Sequence, residues 1–178
     1  MFKKKSANSL QISSRKACFI FNGEELHGIT LEATVKAVFL GWDQGNKEAK
    51  IKPGEKLKIE IEGQDENGPT SANFYLSLNN FVSKKFLCCL ENCQSPYLTL
   101  IVKPGEKDEI PTLFTGYRNE QNSSSTNWTK QKYSFDDSGD IFDKQSKEVT
   151  TAAAILEAWA TLYNIPFIDT READKTKF

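Results

Sequence analysis

Histidine occurs once in this chain, methionine once, and cysteine four times among 178 residues. Each scarcity removes a class of chemistry. His27 has no nucleophile at a useful sequence spacing, so neither a Ser-His nor a Cys-His dyad is expected around it. Cys88 and Cys89 are adjacent and Cys93 follows one helical turn later, which is not the spacing of a disulfide framework. Reduced thiols packing as small hydrophobes are the expectation. A zinc site would need Cys18 and His27 to converge on the segment that holds the other three cysteines. No Cys-x-x-Cys pair announces one, so no metal and no cofactor is expected. Glycine-rich phosphate loops, nucleophile elbows and His-rich metal motifs are missing as well. Asp136, Asp137, Asp140 and Asp143 cluster, but without the mid-loop glycine and terminal glutamate of a calcium loop, and read as a solvated turn. The chain is expected not to be an enzyme.

Long apolar runs are lacking too. None reaches the length needed to cross a bilayer, and Met1-Phe-Lys-Lys-Lys5 lacks the apolar stretch of a secretion signal. The expectation is a cytoplasmic protein with no membrane partner, in the host cytoplasm if the protein is viral. An excess of charge of one sign is also missing: the net charge is −1, which argues against coating a polyanion by charge alone. The distribution is less even. Residues 1–58 hold eleven Lys and Arg against six acids, and residues 59–120 hold five against nine. Such asymmetry can steer a polyanion to one face.

What is present is a 38% apolar, 26% charged composition long enough for one domain with a real core. Its organising stretch is 57–102. Leu57-Lys-Ile-Glu-Ile-Glu62 and Asn73-Phe-Tyr-Leu-Ser-Leu-Asn79 alternate apolar with polar, the period of a half-buried strand. Phe81, Val82, Phe86, Leu87, Cys89, Leu90 and Cys93 recur at spacings of three and four, as on a helix. Tyr97–Val102 reads as a strand again. Upstream, Ile29–Trp42 alternates throughout, with Ile29, Leu31, Ala33, Val35, Ala37 and Phe39 predicted on one face. Downstream, Thr112–Arg118 follows Pro111 as a last strand. Three strands, a helix and two strands make the element order of a mainly β, five-stranded OB-like barrel.

The remainder divides around that unit. Residues 1–15 read as a flexible basic arm, 16–118 as the barrel, 119–147 as a polar linker with a hairpin extension, 148–166 as an amphipathic helix, and 167–178 as a mixed-charge tail. Asn22-Gly23 is a hairpin signal following a strand over Lys16–Asn22. The pentamer Lys52-Pro-Gly-Glu-Lys56 recurs as Lys103-Pro-Gly-Glu-Lys107, and each suits a type II turn flanked by amines. The C-terminal helix carries its stripe on Ala152, Ile155, Leu156, Trp159, Leu162 and Tyr163. An open end of the barrel would cover that stripe, with a second copy of the chain docking through 148–164 as the alternative.

Binding groups are better supplied than catalytic ones. With Leu57, Ile59, Phe74 and Leu76 inward, the outward set offers Lys56, Lys58 and Tyr75 on neighbouring strands. Cations tracking phosphates and rings stacking on bases are how single strands are held. Lys47, Lys50 and Lys52 extend the cationic track, with Lys103 and Lys107 on the repeated turn. Trp42 stands at the mouth of the first loop, Tyr117 and Arg118 end the last strand, and Trp128, Lys130 and Lys132 follow the linker.

With that element order and that lysine and aromatic face, residues 29–118 resemble the OB-fold single-stranded DNA-binding proteins, particularly the divergent ones encoded by bacteriophages. The resemblance implies a stoichiometric coat of DNA in replication or recombination, and an acidic C-terminal tip that recruits replication proteins. This tail departs from that pattern, because Lys175 and Lys177 sit among its acids. Two other readings use the same residues: a virion or assembly interaction protein with a β-barrel core, and a carbohydrate-binding β-sandwich. The helix between strands three and four disfavours the sandwich.

Overall fold

The computed structural model describes residues 7–13, 16, 18–65, 68–79, 81–90, 96–103, 112–116 and 132–176. The protein is mainly β. Its strands are β1 (Asn8–Ser13), β2 (Cys18–Phe21), β3 (Glu24–Leu26), β4 (Thr30–Asp43), β5 (Gly54–Asp65), β6 (Gly68–Ser77), β7 (Tyr97–Lys103), β8 (Thr112–Gly116), β9 (Tyr133–Phe135), β10 (Ile141–Asp143), β11 (Val149–Thr150) and β12 (Phe167–Asp169). Helix α1 (Phe81–Leu90) lies between β6 and β7, α2 (Ala152–Leu162) between β11 and β12, and α3 (Arg171–Lys175) follows β12. No helix among the described residues is long and apolar enough to cross a membrane.

The expected order of three strands, helix and two strands is present as β4, β5, β6, α1, β7 and β8, and these strands pair in the order β6-β5-β4-β7-β8. A closed five-stranded barrel is not found among the described residues. The free edge of β6 is taken by β1, running parallel with Leu10 opposite Phe74, and the sheet continues through β2 to β3. Part of the segment read as a flexible arm is therefore a strand. Leu10 is 2% exposed and belongs to the core, and pairing covers an edge that would otherwise present unbonded backbone groups. The sheet curls enough that β2 touches β7, five places further along the order.

β4 does not keep the uniform alternation its sequence suggests. A bulge lies between Val35 and Ala37, so Val35 pairs with Ile61 and Ala37 with Glu60. The inserted residue, Lys36, switches the buried face: Ala33 and Val35 are buried before it, Val38 and Leu40 after it, and Phe39 moves to the opposite face. The partner strand changes at the same place. Thr30–Thr34 pairs with β7, whereas Val38–Leu40 pairs with β12, and the amides of Val35 and Val38 donate to the carbonyls of Pro96 and Pro166.

Between β4 and β5 the chain reverses at 47–50, where Asn46 and Ile51 exchange backbone hydrogen bonds and Lys50 adopts a φ of 57°. The type II turn expected at Pro53-Gly54 is not formed. Gly54 already begins β5 opposite Asp43, and its missing side chain leaves room for the Asn79 amide, which a Cβ would meet at 2.2 Å. The repeat of that pentamer, from residue 104 onward, lies outside the described residues.

The core draws on every layer. Leu57, Ile59 and Phe74 from β5 and β6 are sealed against Phe86, Leu87 and Leu90 of α1, and the Phe74 and Phe86 rings meet edge to face at 6.1 Å. Helix α2 starts at Thr151, whose hydroxyl accepts from the Ala154 amide, and buries Ala152, Ile155, Leu156, Trp159 and Ala160. It packs on α1, β4 and β12 of its own chain, so the stripe is covered within the chain, as the first of the two expectations had it, and not by a second copy. Leu162 departs from expectation at 70% exposed. The hairpin extension is a separate three-stranded sheet in the order β11-β10-β9, turning at Asp136–Asp140 as expected. The Asp136 carboxylate accepts from Ser138 and Asp140 there, and these bonds hold its carboxyl below the usual range.

Candidate nucleic-acid interface

The outward faces of β4, β5 and β6 form one continuous surface, because Leu57, Ile59, Ile61, Phe74 and Leu76 all turn inward. Cross-strand register sorts that surface into rows. Phe39 pairs with Lys58 and Lys58 with Tyr75; β12 adds Ile168 beside Phe39. The next row toward the β4–β5 loop is Gly41, Lys56 and Ser77, and the next row away from it is Ala37, Glu60 and Asn73.

Two of these rows carry the features a single strand needs. Tyr75 is 37% exposed, and Ile168 is 36% exposed at the other end of its row. Between them the Lys58 ammonium lies 4.1 Å above the Phe39 ring, a cation–π contact that keeps the charge on the sheet face instead of trailing into solvent. At a strand spacing of about 4.8 Å, the Phe39 to Tyr75 span is about 10 Å, with the Lys58 backbone midway and its amine over Phe39. Lys56 in the adjoining row is exposed, as are Lys47, Lys50 and Lys52 on the β4–β5 connection. Along β5 the outward charges change sign: Lys56 and Lys58 lie toward that loop and Glu60 and Glu62 away from it, with the Asp174 carboxylate beside Gly41 at the first end and Lys36 beside Glu60 at the other.

A groove of about 640 Å³ opens at the carboxylate end. Lys36, the bulge residue, lines it together with Asn8, Glu60, Thr70, Ser71 and Asn73.

The other residues singled out from the sequence fall in several places. Trp42 is at the loop end of β4, half-buried beneath α3. Its backbone amide donates to Asp174 Oδ2 at 3.1 Å, and the Lys175 ammonium sits 4.5 Å over its ring. The segment read as a mixed-charge tail is thus docked through its described residues, 167–176. Thr170 also donates to Asp174, Gln44 Nε2 donates to the carbonyls of Asp174 and Lys175, and Arg171 bridges Asp169 and Glu55 at 2.7 and 2.8 Å. Arg171 holds the Asp169 carboxyl below its ordinary range, and Asp169 and Glu55 together keep the guanidinium protonated. Gly41 makes room for this contact, since a Cβ there would lie 2.7 Å from Asp174 Oδ2. Lys132 immediately precedes β9 of the small sheet, its ammonium 5.4 Å from the centre of the Tyr133 ring. Lys103 ends β7. Lys107, Tyr117, Arg118, Trp128 and Lys130 lie outside the described residues.

Sequence reasoning missed Phe39, set on the same face as Ala33 and Val35 by an alternation that the bulge interrupts. It also missed a side-chain cluster at the far edge of the sheet. The Asn22-Gly23 turn, with φ of 49° and 85°, pairs Phe21 with Glu24, Ile20 with Glu25 and Phe19 with Leu26. Counting one step further sets Cys18 against His27, and the Cys18, Glu25 and His27 ligand atoms all lie within 4.8 Å of one another. That register was readable from the Asn-Gly signal. Lys16 donates to Glu25 here, which raises the amine and lowers the carboxyl, and burial raises the Cys18 thiol.

Comparison with protein-family models, with curated proteins and with solved structures finds no match.

Proposed function

We propose that this protein binds single-stranded DNA, in replication or recombination, on the outer face of β4, β5 and β6. The observation that carries the reading is the row Phe39, Lys58 and Tyr75 with Lys56 beside it: an exposed ring, a ring-held amine and a second amine on adjacent strands. Bases stacking on Tyr75 would gain about 1 to 3 kcal/mol each, with phosphates passing over Lys58 and Lys56 toward Lys52, Lys50 and Lys47. Glu60 and Glu62 bound the track by repelling phosphate from the other half of the face. In this reading β4–β8 with α1 is an OB-like unit whose closing position is taken by β1, and OB domains bind ligands on this part of the sheet. The protein acts as a binder without chemistry of its own. Replication proteins are the partner class the resemblance implies.

A second reading is favoured by the groove beside this row. Its lining of amides, hydroxyls and the Glu60 carboxylate suits the hydroxyls of a glycan, with Tyr75 as the stacking ring. Titration of the protein with oligo(dT), duplex DNA and a glycan panel, followed by tryptophan fluorescence, separates the two. Quenching by oligo(dT) that weakens steeply with added salt is expected. No response to oligo(dT) at low salt rejects the DNA reading, and a response to a glycan alone promotes the other.

A further inference from the structure

We infer that Cys18, Glu25 and His27 form a binding site for a zinc-class divalent ion at the root of the β2–β3 hairpin. The three side chains reach one point for a reason the backbone dictates. A two-residue Asn-Gly turn locks the hairpin register, so Ile20 and Glu25 pair directly and Cys18 and His27 occupy the next opposed position on the same face. Their ligand atoms fall within 4.8 Å of one another, and His27 Nε2 is 3.3 Å from Glu25 Oε2. Ligands of a tetrahedral ion at about 2.0 to 2.3 Å are roughly 3.5 Å apart, so small side-chain rotations suffice.

The donor set selects the ion. One thiolate, one imidazole and one carboxylate suit zinc or cobalt and not magnesium or calcium, which prefer all-oxygen cages. Three protein ligands leave a fourth position for water. Access is one-sided: Cys18 is 1% exposed, whereas the side chains of Glu25 on the outermost strand and of His27 just past its end are 38% and 58% exposed. An ion arriving from solvent would take the place of the Lys16 ammonium on Glu25 and of the thiol proton, which leaves to solvent. The other described buried thiol, Cys88, is carried by α1 into the core and has no part in the cluster. Nucleic-acid binding plays no part in this inference, since β3 and β2 form one end of the sheet order and β1 separates them from the β4–β6 face.

The test uses the full chain, reduced, stripped with chelator and titrated with cobalt(II). One equivalent should bind with a thiolate-to-cobalt charge-transfer band in the near ultraviolet, and zinc(II) should abolish the band by displacement. Cys18→Ser should lose the band. His27→Gln, an exposed change that leaves the fold intact by circular dichroism, should weaken binding more than about tenfold and so carries the test if the buried serine variant fails to fold. Absence of the band in the native sequence overturns the inference. An unchanged band and affinity in His27→Gln also overturns it, because the ion would then be held by another thiol.

Discussion

Tyr75 and Phe39 share a row but not a role. Tyr75 has an exposed ring on a strand whose alternate residues, Phe74 and Leu76, supply the packing, so it adds little to folding. Tyr75→Ala is expected to lower affinity for oligo(dT) by about 1 to 3 kcal/mol and to leave thermal stability within about 1 kcal/mol. Phe39 is half-buried and seats the Lys58 ammonium, so Phe39→Ala should cost a smaller part of the affinity by releasing that amine. Titration alongside thermal melts checks both. Unfolding of the Tyr75 variant, or affinity unchanged in it, would remove Tyr75 from the site. The two residues were unequally legible. Strict alternation over 73–78 exposes Tyr75 on inspection, whereas the face of Phe39 depends on one unpaired residue, Lys36, and nothing in the apolar pattern of 29–42 marks a bulge there.

At the scale of elements, β12 and α3 show why a polar segment can be ordered without an apolar stripe. None of the α3 residues is buried. The segment is held by β12 pairing with β4, by Arg171 bridging two carboxylates and by Asp174 accepting from Trp42 and Thr170. Composition gave no sign of this, since charged residues read as solvated until their partners, Glu55 and Trp42, are brought beside them by a fold more than a hundred residues long. The α1 and α2 helices, by contrast, declare themselves through their spacing. Gly41→Ala should displace Asp174 and undock α3, exposing Trp42. Amide exchange should then rise at Thr170 and Asp174 while that of Leu57 and Phe74 is unchanged; protection unaltered at 170–176 would show that Gly41 does not hold the contact. Acid provides an independent probe. Because folding lowers the Asp169 carboxyl below its ordinary value, its contribution is present above the ordinary aspartate range and is lost as pH falls through the lowered value. Protection of α3 should therefore persist through mildly acidic pH and disappear only below that range.

For the whole molecule, the order of three strands, a helix and two strands was legible because alternation and helical spacing are local properties. The closed barrel expected from it is not found among the described residues, whose strands pair along the path β6-β5-β4-β7-β8. Which strand covers the free edge of β6 is a long-range choice. The lysine-rich start of the chain concealed that Leu10 and Ile12 alternate as a strand does, and β1 takes the edge that a barrel would close with its last strand. The consequence is a continuous outer face on which Lys56 and Lys58 of β5 lie toward the β4–β5 loop and Glu60 and Glu62 away from it, and the functional reading rests on that face. Backbone amide NMR shifts recorded during addition of oligo(dT) at low salt test it most directly. The account predicts perturbations concentrated at Phe39, Lys56, Lys58 and Tyr75 and fading toward Glu60 and Glu62, all reversed by salt. Shifts confined to other elements, or none on that face, would contradict it.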